Sequence, residues 1–296
     1  MERLQAVREA STVLPRELRI VLLAQPAERQ GDWEEIRLRA GRGMSCVDGS
    51  GREKTIYRPV TAEDLRLTVE LATRASLQSV SEKLSAGFLP LRGGHRLGIC
   101  GTTAIREGRI LHFRSISSLN LRIACPVTGI GEEVLPQLLE DGHFCSTLIL
   151  APPGEGKTTL LRDLIRLLGE RGIRTGLADE RGEVAALYQG EPQLDVGPLA
   201  DVADGCPKGE GLMLLLRGMS PRVLAVDEIT HPSDVSALCQ GANCGTAVLA
   251  TAHGGSLEEL KSRSVCKPLL EQNVFSRLIT IQREGRQRTY RVERIS

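Results

Sequence analysis

Residues 148–161 of the chain read LILAPPGEGKTTLL. The apolar run predicts a buried strand, the prolines and glycines predict a loop, and the leucines after the loop predict a helix. This order and spacing match the phosphate-binding loop, except that Ala151 stands where the pattern has its first glycine. In such a loop, backbone N–H groups and the helix dipole both favour a bound phosphate. The stretch therefore predicts an α/β fold with a nucleotide site at the end of a strand.

The positions of this loop have different expected roles in binding a nucleotide. We expect Lys157 to reach the β- and γ-phosphates, where its ammonium group offsets their negative charge. The hydroxyl of Thr158 is expected to coordinate Mg²⁺, and Thr159 to act in polar packing at the start of the helix. No stretch of the sequence distinguishes ATP from GTP. The predicted nucleotide-binding residues are Ala151, Pro152, Pro153, Gly154, Glu155, Gly156, Lys157, Thr158 and Thr159.

A second stretch supplies the acids that nucleotide hydrolysis requires. Residues 223–228 read VLAVDE, four apolar residues that predict a buried strand, followed by two carboxylates. We expect Asp227 to lie beside the Mg²⁺ and its water shell, and Glu228 to polarise the attacking water. A plain helix N-cap is the alternative for these acids. Their position after a phosphate loop favours metal-assisted hydrolysis.

Three further stretches of the sequence contain less specific candidates for the same site. Glu180 follows an apolar run, so it could share the activation of water or belong to a surface charge cluster. His253 also ends an apolar run, from which its imidazole could sense the γ-phosphate or serve only in the structure. Arg217, like Arg222 close by, could stabilise phosphoryl charge in its own subunit or across an interface, or be simply solvated.

The two parts of the chain differ in pattern and predict two domains. Before residue 126, helical patterns combine with a half-buried strand at 33–42 and with glycine-rich hairpins that end in a strand near 119–124. After that point, short apolar runs alternate with helical patterns, which predicts a mostly parallel sheet with crossover helices. We therefore predict an α+β N-terminal domain over 1–128 and an α/β domain over 129–296.

Composition argues against several classes of protein. The 296 residues carry a net charge of +1 and 3% aromatic residues, so neither a global field nor a stacking surface favours nucleic acid as a direct partner. The apolar runs are shorter than the about 18 residues that cross a bilayer, and the first residues mix acids with bases, so a cytoplasmic protein is expected. The eight cysteines include no C-x-x-C pair and predict reduced, mostly buried thiols rather than a metal site.

In their order along the chain, several stretches resemble motifs of the secretion ATPases, the RecA-like hexameric motors of type II and type IV systems. They are the phosphate loop at 151–158, the acidic stretch at 179–183, LRGMSP at 216–221 before 223–228, and TAHG at 251–254. A closer resemblance, over nearly the whole chain, is to the stage III sporulation protein AA family. It rests on IRLRAGR at 36–42, GGHRLGICG at 93–101, LRIA at 121–124 and DERGE at 179–183.

The resemblance implies a RecA-like P-loop ATPase domain with a central mostly parallel sheet, preceded by a smaller α+β N-terminal domain. It implies Mg²⁺-dependent ATP hydrolysis by a hexameric homo-oligomer that energises assembly of, or transport through, a membrane channel complex during endospore formation. The implied partner is an inner-membrane protein of that complex, which would hold this cytoplasmic protein at the membrane periphery. Arginines of the N-terminal domain complete the nucleotide site in such motors, and the candidates are Arg92, Arg96 and Arg122.

The chain also departs from the type II motors. It lacks a four-cysteine zinc module, and it carries Asp227-Glu228 where many of them have Gly-Glu, which favours a complete magnesium site. Two other functions stay open at this level: a RecA-like nucleic-acid motor with an arginine-lined groove, and a non-catalytic scaffold whose assembly is gated by nucleotide. The balanced charge argues against the first, and the two intact acids argue against the second.

Overall fold

The computed structural model describes residues 2–73, 87–106, 109–125, 127–261, 265–284 and 287–295. The chain forms two compact units, the first comprising Met1–Cys125 with Tyr188–Gln193 and the second Pro126–Leu187 with Leu194–Ser296. The sequence predicts a single domain over 129–296, so it does not predict that residues 188–193 belong to the first unit. Within that unit, the Gly93 amide donates a hydrogen bond to Oε1 of Gln193 at 2.9 Å.

Short helices open the first unit. They are α1 (Glu2–Ala10), a 3₁₀ turn (Ser11–Val13), α2 (Arg16–Leu23) and α3 (Ala27–Gln30). Pro15 is the N-cap residue of α2. Proline interrupts a preceding helix but is tolerated where the next one begins, because no intrahelical N–H is needed there. Leu18 and Leu22, one turn apart, are completely buried and attach α2 to the core.

An antiparallel sheet forms the centre of the first unit. Its strands are β1 (Trp33–Arg39), β2 (Gly43–Asp48), β3 (Glu53–Pro59), β4 (Phe88–Pro90), β5 (Arg96–Arg106) and β6 (Arg109–Arg122). In the part of the chain that the structure describes, their order is β3-β2-β1-β6-β5-β4. In β1, Ile36 and Leu38 are buried, whereas Arg37 and Arg39, which alternate with them, are only partly buried. This is the alternation from which the sequence predicts the strand.

A capped helix follows β3. α4 (Ala62–Thr73) begins with a reciprocal pair of bonds: the Thr61 amide donates to Oδ2 of Asp64 at 2.8 Å, and the Asp64 amide donates to Oγ1 of Thr61 at 3.1 Å. This capping box satisfies two amides that have no partner inside the helix. Leu65, Val69 and Leu71 recur near helical spacing and predict a helix over 61–75, and Leu65 is completely buried in the structure. The last two residues of that predicted helix lie outside the described residues.

Strand β6 is longer than the sequence predicts. We expect a strand near 119–124, whereas β6 begins at Arg109 and pairs with β5 along its full length. Register shifts at three places in this pairing break the alternation of apolar and polar residues on which the prediction depends. At one of them Gly101 permits a close approach, since a Cβ at this position would lie 2.0 Å from the carbonyl oxygen of Ser115.

A mostly parallel sheet forms the centre of the second unit. Its strands are β9 (Thr147–Ala151), β10 (Thr175–Asp179), β11 (Ala200–Asp204), β12 (Val223–Val226), β13 (Ala247–His253), β14 (Arg277–Glu284) and β15 (Gln287–Arg294). A separate pair is formed by β7 (Leu139–Glu140) and β8 (His143–Phe144). Over the described ranges the order is β11-β10-β12-β13-β9-β14-β15, and β15 alone runs antiparallel to its neighbour.

Helices cover both faces of this sheet. They are α5 (Lys157–Glu170), α6 (Lys208–Gly218), α7 (Pro232–Asn243), α8 (Leu257–Lys261) and α9 (Lys267–Glu271). Ile149 of β9 packs in a cluster with leucines of α5, whereas Leu148 and Leu150 pack in another with leucines of α6 and α7. Because both faces are buried, the central strands read as continuous apolar runs rather than alternating ones.

The strands that carry the candidate residues end at one edge of the sheet. Ala151 of β9 pairs with His253 of β13, and Val226 of β12 pairs with Ala250 of β13 on one side and Ala178 of β10 on the other. Parallel strands present their carboxyl ends together, where ligands bind in open α/β sheets. The phosphate loop, the two acids after β12, Glu180 and His253 therefore share one edge.

Two expectations from the sequence concern membrane-spanning helices and the burial of the cysteine thiols. No helix in the described part of the chain is long and apolar enough to cross a membrane. All eight cysteines are free, but only Cys46, Cys239 and Cys266 are buried. The prediction of mostly buried thiols is wrong: Cys100 faces outward on β5 next to buried Ile99, and Cys244 is exposed at the end of α7.

Candidate nucleotide site

The phosphate loop connects β9 directly to α5. The last loop residue, Gly156, is the N-cap of α5 with φ of +94°, and Gly154 has φ of +79°. Only glycine adopts these left-handed conformations without steric cost, so both residues are needed for the turn. Nothing lies within 4 Å of the point where Gly154 would carry a Cβ, and Pro152 and Pro153 are also exposed. The loop thus borders open space at the amino end of a 14-residue helix.

Lys157 is buried behind this loop and fully hydrogen-bonded. Its Nζ donates to the carbonyl oxygens of Ala151 at 2.8 Å and Pro152 at 2.9 Å, and it lies 2.8 Å from Nδ1 of His253. Burial lowers the pKa of this ammonium group, and the carboxylates of Glu228, Asp227 and Glu155 act in the opposite direction. A phosphate would therefore meet a lysine that is already held at the loop.

His253 connects Lys157 to Glu228. Its Nε2 lies 2.8 Å from Oε1 of Glu228, while its Nδ1 faces the lysine. A lysine ammonium can only donate, so Nδ1 accepts and the ring proton resides on Nε2, from which it is donated to the carboxylate. The result is a continuous path of hydrogen bonds from the phosphate loop to the acid that the sequence predicts as the base.

Asp227 is held by two threonines. Oγ1 of Thr158 donates to Oδ2 of Asp227, and Oγ1 of Thr251 donates to Oδ1, both at 2.8 Å. Thr251 also accepts a hydrogen bond from the Glu228 amide at 2.8 Å. Burial raises the pKa of Asp227, against the effect of the threonine hydroxyls. The predicted metal ligands Thr158 and Asp227 are therefore side by side, whereas Thr159 lies one residue further along α5.

Sequence reasoning assigned Thr251 no role. It reaches the site because β13 lies beside β12, so its hydroxyl faces the end of the neighbouring strand. A signal was present in the sequence: a threonine between apolar residues, at the end of a strand, is a polar group that needs a partner.

Glu228 has a left-handed backbone, with φ of +57°. This conformation is uncommon for a residue other than glycine and persists where neighbouring groups hold it in place. Nζ of Lys208 donates to the Glu228 carbonyl at 2.6 Å and to Oγ1 of Thr230 at 2.9 Å, with Glu180 Oε2 at 3.9 Å. Lys208 is 8% exposed. Sequence reasoning missed it, although a cation at the first position of a helix opposes the helix dipole and is a recognisable signal.

The two acids at the end of β10, Asp179 and Glu180, have different surroundings. Both carboxylate oxygens of Asp179 accept hydrogen bonds from backbone amides of residues 183–185, so this side chain shapes the turn. Glu180 is nearly half exposed, and it lines a small cavity with Lys208, Asp227 and Glu228. The structure therefore brings Glu180 to the candidate site.

Arg217 and Arg222 lie away from this edge within the unit. Arg217 is exposed in the last turn of α6, nine residues after Lys208 and hence about 14 Å further along the helix axis. Arg222 is exposed immediately before β12, at the amino end of the strand whose carboxyl end carries the acids. A role for either arginine within its own subunit's site has no support in this arrangement.

The three remaining arginine candidates belong to the first unit. The Arg96 guanidinium stacks on the Phe88 ring, 3.7 Å from the ring centroid. Nε of Arg122 lies 3.8 Å from Oε1 of Glu35, and its side chain is 64% exposed. Arg92 lies in a 3₁₀ turn (Arg92–Gly94). Their predicted contribution to the nucleotide site stays a prediction.

The donor set fits a nucleoside triphosphate with Mg²⁺. The lysine and glycines of the loop suit phosphate oxygens, and the paired oxygens of Thr158 and Asp227 suit a hard cation. Among the described residues there is no cluster of three or more histidine, cysteine or acidic side chains that could hold a metal ion. Mg²⁺ commonly takes one or two protein ligands and completes its shell with phosphates and water, so such a cluster is not required.

Comparison with known proteins agrees with this geometry. A family model described as sporulation stage III, protein AA, matches residues 4–293. The chain belongs to this family. Stage III sporulation protein AA of Bacillus subtilis (strain 168) is 38% identical over 282 residues, which are 94% of this chain and 91% of that protein. The resemblance read from the sequence is confirmed.

Solved structures show the same fold at low sequence identity. The Legionella pneumophila ATPase DotB is 18% identical with a TM-score of 0.55, over 88% of this chain and 76% of that one. The pilus retraction motor PilT, solved with bound ADP, is 15% identical with a TM-score of 0.60, over 89% and 79%. The predicted RecA-like ATPase fold is confirmed.

Proposed function

We propose that the chain is a Mg²⁺-dependent ATPase of the secretion-motor type that energises assembly of, or transport through, a membrane channel complex during endospore formation. One observation carries the enzymatic part: the path from Lys157 through His253 to Glu228 lies beside the Thr158–Asp227 pair, with hydrogen bonds of 2.8 Å throughout. Phosphate binding, metal binding and water activation thus have candidate groups at one edge.

Each group has a separate task in this proposal. Lys157 binds the β- and γ-phosphates, and Thr158 with Asp227 holds the Mg²⁺, which when bound offsets phosphate charge. Glu228 accepts the proton of the attacking water, and His253 couples the position of Glu228 to that of Lys157. Glu180 is the alternative base, because it lines the same cavity.

The assembly and its partners extend the proposal. A hexameric ring would give Arg217 a role in a neighbouring subunit's site, since its place in α6 leaves it exposed, and Arg92, Arg96 and Arg122 are the first-unit candidates. We further propose an inner-membrane protein of the channel complex as partner, with the chain on the cytoplasmic side and no direct nucleic-acid ligand. Membership of the sporulation family and the fold shared with DotB and PilT support this reading.

Phosphate release from Mg-ATP, measured over a wide range of protein concentrations, tests the proposal. The Lys157→Ala variant is the blank. Specific activity that rises with concentration is expected, because sites completed between subunits form only in the ring. Nucleotide binding without turnover at every concentration, also with the membrane partner added, would favour the scaffold function.

A further inference from the structure

Arg288 of β15 lies against the phosphate loop. A Cβ placed on Gly156 would lie 3.2 Å from Nε of Arg288 and 3.5 Å from its Cζ. Gly156 immediately precedes Lys157, so this guanidinium group borders the turn that would surround a phosphate. The phosphate-loop motif of residues 151–158 contains no feature that points to a residue 132 positions further along the chain.

The register of the sheet explains how Arg288 reaches the loop. β14 runs parallel to β9, with Thr280 opposite Leu150, so its last residues extend beyond the carboxyl end of β9. β15 returns antiparallel from that end, with Arg288 opposite residue 283. The start of β15 is therefore level with the phosphate loop and not with the body of the sheet.

Strand alternation gives the side on which Arg288 lies. Tyr290 and Val292 pack against the apolar cluster that includes the leucines of α5. Side chains two residues apart point to the same face of a strand, so Arg288 lies on the α5 face as well. Arg291 lies on the opposite face, where it forms an ion pair with Glu293 at 2.7 Å.

The guanidinium group of Arg288 belongs to an exposed residue of β15. Among the described residues, no carboxylate lies within ion-pair distance of its guanidinium group. An exposed guanidinium beside a phosphate-binding loop is suited to an anion, since Arg can donate two parallel hydrogen bonds to phosphate oxygens.

The order of the strands separates the two ends of the triphosphate. Asp227 and Glu228 follow β12 and His253 ends β13, on one side of β9, whereas Arg288 comes from the opposite side through β14 and β15. Lysine and the acids of such a site act on the β- and γ-phosphates. Arg288 is therefore placed for the phosphates nearer the nucleoside.

We propose that Arg288 is a nucleotide-binding residue that contacts the α- or β-phosphate, so that the C-terminal hairpin forms part of the nucleotide site. This inference rests on the proposed nucleotide-dependent function. It implies that ADP and ATP share the contact, and that Arg288 contributes to affinity rather than to the hydrolytic step.

Three variants test the inference: Arg288→Ala, Arg288→Lys and the matched control Arg291→Ala. The affinities for Mg-ADP and for a non-hydrolysable Mg-ATP analogue are measured by calorimetry, together with kcat and KM for Mg-ATP. For Arg288→Ala we expect both affinities to fall about tenfold to a hundredfold, as charge-assisted hydrogen bonds are lost. KM should rise while kcat stays within about twofold of wild type. Arg288→Lys should recover part of the affinity, and Arg291→Ala should behave as wild type.

The outcomes separate this inference from the proposed function. If wild type binds nucleotide, Lys157→Ala does not, and Arg288→Ala binds within twofold of wild type, the inference is wrong and the function stands. A fall in kcat with unchanged ADP affinity also overturns it, because Arg288 would then act on the transition state. If wild type binds neither nucleotide, the proposed function itself fails. Circular dichroism of each variant identifies any loss that comes from misfolding.

Discussion

Two helices of the second unit begin with a buried lysine, and the two lysines differ in what they hold. Lys157 opens α5 at 6% exposure and bonds to two carbonyls of its own loop and to His253. Lys208 opens α6 at 8% exposure and bonds to the carbonyl of Glu228 and the hydroxyl of Thr230, which belong to a different part of the chain. Lys157 is therefore connected to Glu228 through His253, whereas Lys208 contacts Glu228 directly.

The difference lies in the surroundings of each ammonium group. Lys157 lies at a glycine turn that borders open space, so a phosphate can replace its carbonyl partners. Lys208 donates to the backbone carbonyl of Glu228, and this contact helps to hold Glu228 in its left-handed conformation. We infer that the first lysine binds ligand and that the second positions a catalytic group, and the following predictions distinguish these roles.

Lys157→Ala is expected to have the largest effect. Nucleotide affinity should fall at least about a hundredfold, because the charge that meets the phosphates is removed. Calorimetry with Mg-ATP and Mg-ADP measures the loss, and the exposed Lys267→Ala is the control. Affinity within a few-fold of wild type would contradict the ligand-binding role of Lys157.

Glu228→Gln should separate binding from turnover. Turnover should fall about a hundredfold or more while ATP stays bound, since an amide cannot accept the proton of the attacking water. Single-turnover phosphate release with labelled ATP measures both, and Glu271→Gln, an exposed acid in α9, is the control. Normal hydrolysis by Glu228→Gln would transfer the role of base to Glu180.

Lys208→Met should lower kcat about tenfold and leave ATP affinity within about threefold. The Glu228 carbonyl and the Thr230 hydroxyl lose their partner, which costs about 1–3 kcal/mol of stability and releases the backbone of the acid. Kinetics, calorimetry and thermal unfolding measure the three quantities, with Lys267→Met as control. A parallel loss of affinity and kcat would show a purely structural role and remove the contrast between the lysines.

The smallest effect concerns stability and pH. The folded pKa of Lys157 lies below its ordinary value of 10.5 because of burial. The folded state therefore releases this proton before the unfolded state does, and stability rises with pH from the folded pKa up to about 10.5. In denaturant unfolding without nucleotide, the free energy of unfolding of wild type should increase relative to that of Lys157→Met over this pH range. A constant difference between the two proteins would show that burial of the charge has no cost.

Much of the site follows from local sequence because its chemistry is carried by short segments. The phosphate loop, Asp227 and Glu228 each follow an apolar strand, and the glycines of the loop are required by its backbone conformation. His253 was a candidate on the same grounds, but its bonds to Lys157 and Glu228 join three separate strand ends. Pairing of this kind depends on strand order, which local pattern does not determine.

Other elements had weaker signals. No apolar run predicts a strand at 200–204, where ADVAD mixes acids with small apolar residues in β11, at one edge of the described sheet. The hairpin of β14 and β15 is also absent from the predicted strands, and Arg288 is therefore absent from the predicted site residues. The edge strands β11 and β15 lack the continuous apolar run of the central strands because they are not buried on both faces.

The sequence by itself determined the class of fold, the phosphate loop, the acids that follow it and, through resemblance, the family. Each of these is a local property: an apolar period, a glycine conformation or a short motif. Tertiary structure alone decided that Thr251 braces Asp227, that Lys208 holds the backbone of Glu228 and that Arg288 returns to the loop. Those contacts join residues 24, 20 and 132 positions apart in sequence, and only the register and order of the strands bring such distant residues within reach.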